Sequence, residues 1–348
     1  MKAIIVHATG DLRYEEIAKP VPGPHEVVAR VVCCGICGTD AEIFHGDTSL
    51  TRDGLVKCPV RIGHEWSGIV ESVGSEVGGF QPGDRVISDT GSSCGHCEAC
   101  LSGNFKKCAL ISSLGTVGDH KAGAFAEYIV MYDWHMHKIP DDIGFEEATL
   151  AEPGTIALNA LIDCGVGEGT TVVITGTGAI GLMAVSFAKQ LGAKVILAGR
   201  KRMKLDIGRE MGAAEIIDLT EEDLVKGVLK YTGGRGTDVF YETTGYSRFI
   251  TQALEATAYM GTIGLVGFYE KSLDNFDANR LVMEHKRVQG CEGSAWRAQQ
   301  VLDMMSLGKI SLKPMITHRI PFEEAGNAIK TARENTAEKI KTIVSINS

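Results

Sequence analysis

A chain of 348 residues is long enough for two domains, each able to bury its own core. Its 44% hydrophobic and 23% charged residues exclude the disordered class, and 44 acidic against 35 basic residues, a net charge of −9, argue against a nucleic-acid partner. The N-terminus turns acidic before any long apolar segment or small-residue cleavage site. Ten cysteines in a chain of this size read as cytosolic thiols, four or more of them on metal, so a cytoplasmic location is expected.

Short β-branched runs at 26–32, 61–73, 85–88 and 126–131 are separated by turns such as Pro22-Gly23-Pro24 and Gln81-Pro82-Gly83-Asp84, which predicts a largely antiparallel β domain. After Pro153 the pattern changes. Strands at 171–175, 194–198, 215–219 and 239–242 alternate with helices at 179–190, 203–211, 221–231 and 249–258, and a strand at 262–266 follows. That rhythm predicts βαβ units and a parallel sheet. Residues 171–188 carry no charge, near the lower limit for a membrane span. Three glycines and three threonines interrupt them, so a buried strand, turn and helix is expected and no membrane partner. Helices at 298–307 and 322–333 and a strand at 341–346 close the chain, the strand placed to return to the first domain. The fold class is α/β with a β-rich second domain, divided as 1–153 with 295–348 and 154–294.

Residues 171–181 read TVVITGTGAIG, a strand entering Gly176-x-Gly178-x-x-Gly181 and then a helix. The first glycine permits the tight turn and the second admits a pyrophosphate. The third lets helix and strand pack closely, which is the geometry of a dinucleotide site. Ile180, Thr244 and Val266, in this turn and at the ends of following strands, are assigned to the same site. An acid that would bind the ribose hydroxyls is expected after the second strand, but Gly199 stands there, followed by Arg200, Lys201 and Arg202. Cations without a carboxylate favour the 2′-phosphate of NADP(H), with NAD(H) the alternative.

Cys94, Cys97, Cys100 and Cys108 place four thiolates within fifteen residues, a pattern that closes a tetrahedral structural zinc site; an iron–sulfur cluster is the alternative. A second constellation is dispersed: Cys37 in GICGTD, His64 and Glu65 in GHEWSG, and Glu152 in AEPG. Thiolate, imidazole and carboxylate are the ligand types of a catalytic zinc that leaves one position open. Singly, each has a bland reading as a core thiol, a satisfied histidine or a capping acid. Their joint presence beside a dinucleotide fold favours a catalytic site with two zinc ions per subunit.

The chain resembles the zinc-containing medium-chain dehydrogenases from end to end. GICGTD, GHEWSG-x-V-x-x-VG, the PGDRV turn, the four-cysteine loop, AEPG and GTGAIG appear in family order. It looks most like the polyol branch of sorbitol, threonine and sugar-alcohol-phosphate dehydrogenases. The resemblance implies a GroES-like catalytic domain, a Rossmann coenzyme domain and a cleft between them. Cys37, His64 and an acid, either Glu65 or Glu152, would bind the catalytic zinc, with the other acid acting through water. Thr39 falls where the family keeps a hydroxyl that relays the substrate proton, and Lys341 where relatives place a basic residue near the coenzyme pyrophosphate. Where some relatives have a histidine to pass the proton to solvent this chain has Glu42, with His45 three residues further, and either might serve as the exit. A homotetramer or homodimer is implied too.

The expected activity is hydride transfer between a nicotinamide coenzyme and a small-molecule secondary alcohol or ketone. Glu42, His45 and Arg297 suit a polyol, a sugar alcohol or its phosphate; threonine and a simple secondary alcohol are the alternatives. A zinc-free reductase of the same superfamily would not need Cys37, His64 and Glu65. The intact ligand set also argues against a non-catalytic dinucleotide-binding protein.

Overall fold

The computed structural model describes residues 1–116, 122–269, 273, 276–291, 296–334 and 337–347. Two compact units comprise Met1–Glu152, Ser294–Ser306 and Ile316–Ser348, and Pro153–Gly293 with Leu307–Met315.

The first unit opens with an antiparallel hairpin, β1 (Lys2–Ala8) and β2 (Asp11–Glu16), turned at Gly10 with φ 77°. Its central strand is β3 (Glu26–Gly35), buried along most of its length. β4 (Glu65–Val73) pairs antiparallel with it and sets Glu65 opposite Gly35. The run expected over 61–73 therefore starts as a strand only at Glu65. Gly63 turns the chain at φ 96° and packs so tightly that a Cβ there would lie 2.7 Å from the Phe125 ring. β5 (Arg85–Ser88) continues the sheet, and β6 (Gly91–Ser92) pairs with β7 (Ser112–Ser113) at the base of the four-cysteine loop. β8 (Tyr128–Tyr132) pairs with β3 and β9 (Met136–Lys138) with β5.

The second unit is a parallel sheet of β10 (Thr171–Thr175), β11 (Lys194–Gly199), β12 (Glu215–Asp218), β13 (Thr237–Glu242), β14 (Thr257–Leu265) and β15 (Arg287–Gly290). The strand order is β12-β11-β10-β13-β14-β15, so the winding reverses between β10 and β13. Ligands of such sheets bind beyond the carboxyl ends of the strands at this switch point. The uncharged residues after Thr171 form β10 and the helix Ala179–Gln190, and no described helix is long and apolar enough to cross a membrane.

β16 (Ile316–Pro321) and β17 (Lys341–Ser345) return to the first unit, giving the order β16-β17-β3-β4-β5-β9 with β8 also on β3. β17 runs antiparallel to β3 with Ile343 opposite Gly35, and Ile36 donates its N–H to the Thr342 carbonyl. The ends of three neighbouring strands thus bring Lys341, Gly35 and Glu65 together. Behind them lies an apolar core of Val27, Val31, Trp66, Phe125, Ile129 and Met131. Ile129 is fully buried opposite Ala29 of β3. Ile129→Ala should lower the stability of this unit by about 2–5 kcal/mol in urea unfolding, because the rigid sheet cannot collapse around the lost side chain. A loss below about 1 kcal/mol would show that this packing is not the core.

Candidate metal centres and coenzyme turn

Cys37 caps the helix Gly38–His45 in an extended conformation. Three residues on, Asp40 accepts the Cys37 N–H through Oδ2 at 2.9 Å and the Gly63 N–H through Oδ1 at 3.1 Å. Its Oδ1 also lies 3.8 Å from His64 Nδ1. One fully buried carboxylate therefore ties the segment of Cys37 to that of His64. Glu65 follows as the first residue of β4, and ligand atoms of Cys37, His64 and Glu65 all lie within 4.8 Å of one another. The Thr39 hydroxyl is 3.7 Å from the Cys37 sulfur.

The charges around this trio require a cation. Lys341 Nζ donates to Glu65 Oε1 at 2.5 Å and to the Ile36 carbonyl at 3.3 Å, whereas Glu65 Oε2 is buried with no hydrogen-bond partner among the described residues. Glu152 is buried and accepts the Thr90 hydroxyl through Oε1. Burial, with the charge of Glu65 adding to it, pushes its carboxyl up to about 7. Burial alone would lower the His64 imidazole, but the Cys37 thiolate and Asp40 raise it well above its ordinary value. A dication satisfies the unpaired Glu65 oxygen and replaces the proton on His64, and the donor set fits zinc.

The second cluster answers a simpler geometric test. Four sulfurs about 2.3 Å from a tetrahedral zinc stand about 3.8 Å apart. Here Cys97 and Cys100 are 3.5 Å apart, Cys94 and Cys108 3.6 Å, and Cys94 and Cys100 3.8 Å. A cluster of several iron and sulfide atoms would hold the thiolates further apart. Backbone N–H groups of His96 and Cys97 draw the Cys94 thiol down to about 6, which favours the ligating thiolate. The loop is anchored at its root. Ser93 donates its N–H to His135 Nε2 at 2.9 Å, and Trp134 Nε1 donates to the Ser93 carbonyl at 3.2 Å.

In the second unit Gly176 closes the turn after β10 at φ 104°, where a Cβ would strike Thr243 Oγ1 at 2.4 Å. A Cβ on Gly181 would fall 2.0 Å from the Gly176 carbonyl, so helix and turn pack only with glycine there. Gly178 caps the helix Ala179–Gln190 and has open space where its Cβ would be, the approach a pyrophosphate needs. Ile180 lies in the first turn of that helix. Thr244 is held by fully buried Glu242, to which it donates through its N–H at 2.7 Å and its hydroxyl at 2.5 Å. Val266 donates its N–H to the Glu242 carbonyl at 2.9 Å, beside the same strand end. At Gly199 a Cβ would meet Thr177 Cγ2 at 2.5 Å and Leu205 Cδ2 at 3.2 Å, so a side chain there would have to displace Thr177. Arg200 and Lys201 are exposed and make no ion pair among the described residues, whereas Arg202 is paired with Asp206 at 3.1 Å.

The two candidate proton exits separate on the helix Gly38–His45. Glu42 is one turn from Thr39 on the same face, whereas His45 lies roughly 120° round the helix and meets the Lys330 carbonyl at 3.3 Å. Arg297 donates to Gln300 Oε1 at 3.0 Å. The ammonium of Lys341, which the resemblance puts near the coenzyme pyrophosphate, is buried on Glu65 and the Ile36 carbonyl. Asp40, Thr90, Gly35 and Ser93 were not singled out from the sequence. Of these, only Asp40 left a signal, as the acid three residues after a helix-capping Cys37.

Residues 23–141 match the alcohol dehydrogenase GroES-like domain, and residues 179–307 match zinc-binding dehydrogenase. The sorbitol dehydrogenase of Bacillus subtilis strain 168 is 30% identical over 345 residues, covering 99% of this chain and 97% of that protein. The L-threonine 3-dehydrogenase of the same organism is 33% identical, covering 93% of each. A zinc-binding dehydrogenase of Sinorhizobium meliloti 1021, solved bound to NADP, superposes with a TM-score of 0.89 at 29% identity, covering 99% of this chain and 98% of that one. A metal-ligand trio, a coenzyme turn and an end-to-end match to such enzymes lead to one conclusion: the chain belongs to the zinc-containing medium-chain alcohol/polyol dehydrogenase family and is an oxidoreductase acting on a small-molecule alcohol.

Proposed function

We propose that this enzyme is a two-zinc polyol dehydrogenase preferring NADP(H), with its catalytic zinc on Cys37, His64 and Glu65. The observation that carries the reading is the trio itself, whose ligand atoms lie within 4.8 Å of one another and which includes a buried carboxylate oxygen that no donor among the described residues satisfies. Cys94, Cys97, Cys100 and Cys108 hold a second, structural zinc, a reading their sulfur spacings support. The catalytic domain is taken as 1–153 with 295–348 and the coenzyme domain as 154–294; the two compact units support this division except over Leu307–Met315, which cluster with the coenzyme unit. A cytoplasmic, reducing location fits ten cysteines that are all free.

When bound, zinc supplies a Lewis acid at the substrate oxygen and the coenzyme supplies the hydride acceptor or donor. The side chains orient the partners and move the proton. Asp40 fixes the spacing of Cys37 and His64, and Thr39 lies close enough to Cys37 to take up the substrate hydroxyl proton. Glu42, one turn on, carries it outward, with His45 the longer route. Glu152, held by Thr90, acts through water beside the metal rather than as its direct ligand. In the second unit Gly176, Gly178, Ile180 and Gly181 bind the pyrophosphate, and Thr244 and Val266 border the nicotinamide end. Gly199, Arg200 and Lys201 receive the 2′-phosphate. The lack of an acid at Gly199, with Arg200 and Lys201 exposed beside it, supports this choice, as does the NADP-bound Sinorhizobium relative. A polyol is favoured by the sorbitol dehydrogenase match, and threonine is the second reading because of the 33% identical relative. A homo-oligomer, dimer or tetramer, is supported by apolar side chains around the edge strand β15, where Met260, Val282 and Met283 are 67%, 74% and 69% exposed.

Cys37→Ser should abolish turnover and remove one of two zinc equivalents by elemental analysis, while coenzyme binding persists. Cys97→Ser should instead lower the melting temperature, and full activity in the Cys37 variant would overturn the catalytic assignment. On a panel of hexitols, pentitols, their phosphates, threonine and butanediol, kcat/KM should be highest for a polyol and higher with NADP than with NAD. A strong NAD preference, or threonine as best substrate, contradicts the corresponding part. Light scattering should give a dimer or tetramer, and a monomer at micromolar concentration rejects the oligomer.

A further inference from the structure

The mechanism above gives Lys341 no role, yet its ammonium is buried against Glu65. It is 4% exposed, and the side chain of its partner Glu65 is 1% exposed. Taking an ammonium out of water costs several kcal/mol unless it is paired and hydrogen-bonded, so a lysine held here has a specific task.

The strand register shows how it reaches its partner. Lys341 is on β17, Glu65 is on β4, and β3 lies between them. Gly35, on the strand between them, presents bare backbone, and the Glu65 carboxyl lies in the space a side chain there would fill. A Cβ at Gly35 would fall 2.2 Å from Glu65 Oε2 and 3.2 Å from Glu65 Cβ. Lys341 also donates to the carbonyl of Ile36, the residue before Cys37. One ammonium thus contacts the backbone leading into one ligand and one oxygen of another, while the second oxygen of that carboxylate has no donor among the described residues. Ligating carboxylates are commonly hydrogen-bonded through the oxygen that does not face the metal.

We propose that Lys341 is the positioning residue that fixes Glu65 as the third zinc ligand, holding Oε1 and leaving Oε2 for the metal while Gly35 makes room for the carboxyl. The inference rests on the assignment of Cys37, His64 and Glu65 as the catalytic site. It gives Lys341 and Gly35 one shared role, since both act on the position of the Glu65 carboxyl.

The test uses full-length enzyme loaded with zinc, and in parallel with Co2+, whose absorption bands report ligand number and type. Subtracting the Cys37→Ser protein isolates this site. Lys341→Met should weaken zinc retention against a chromophoric chelator by about 10–100-fold and shift the Co2+ bands, and Lys341→Arg should restore most of both. In a Glu65→Gln background, Lys341→Met should add little further loss. Gly35→Ala keeps both charges and displaces only the carboxylate, so it should shift the same bands and serves if Lys341→Met does not fold. Unchanged retention and bands in Lys341→Met, or an unchanged spectrum in Gly35→Ala, would overturn the proposal. It would also fail if Lys341→Met acted additively with Glu65→Gln, or weakened only NADP binding, which would mark a coenzyme contact. If Cys37→Ser keeps its full metal complement, the site assignment fails rather than the role of Lys341.

Discussion

Burying negative charge where β3 and β4 end is the constraint around which the catalytic half of this enzyme is built. Asp40, Glu65 and Glu152 are buried near the Cys37 thiolate, in a region where an uncompensated carboxylate would protonate or unfold its surroundings. Asp40 is compensated by two backbone N–H groups and Glu65 by Lys341. The Cys37 sulfur, and the Glu65 oxygen that has no hydrogen-bond partner among the described residues, are what a dication would meet. The site is therefore preorganised by the needs of its own buried groups, which is how a first shell of ligands is held within a few tenths of an ångström.

The short segment 88–94 carries this organisation toward the second cluster. Ser88 accepts a hydrogen bond from Trp66 Nε1, Asp89 meets His137 at 2.8 Å, Thr90 holds Glu152, and Ser93 is bound to His135 and Trp134. β6 and β7 then close the base of the four-cysteine loop. A structural zinc there would do more than tie off an insertion, because it would stiffen the strand end from which Thr90 reaches Glu152. These polar ties would give two bound metals a common mechanical frame.

Much of this was legible in the sequence, for identifiable reasons. The parallel sheet could be read because each βα unit carries its own apolar period, and the coenzyme turn because Gly176, Gly178 and Gly181 answer local steric demands. The four cysteines are close in sequence, so their joint role needs little tertiary information. The trio of Cys37, His64 and Glu65 was grouped through motif order, because nothing local links Cys37 to Glu65. The helix Gly38–His45 escaped prediction because its periodicity spans barely two turns. The run at 61–73 was read as one strand because the β-branched content continues through a bend set by Gly63 and Phe125. Gly35 and Lys341 could not be connected from sequence at all, since their relation depends on which strands are neighbours in the sheet.

The central claim is that one chain holds two chemically different zinc sites, one closed and one open. Anomalous X-ray diffraction at the zinc edge from crystals of the purified enzyme tests it directly. The account predicts two peaks per chain, one among Cys94, Cys97, Cys100 and Cys108, the other among Cys37, His64 and Glu65. A single peak in the four-cysteine loop, or a signal that belongs to iron, would contradict it.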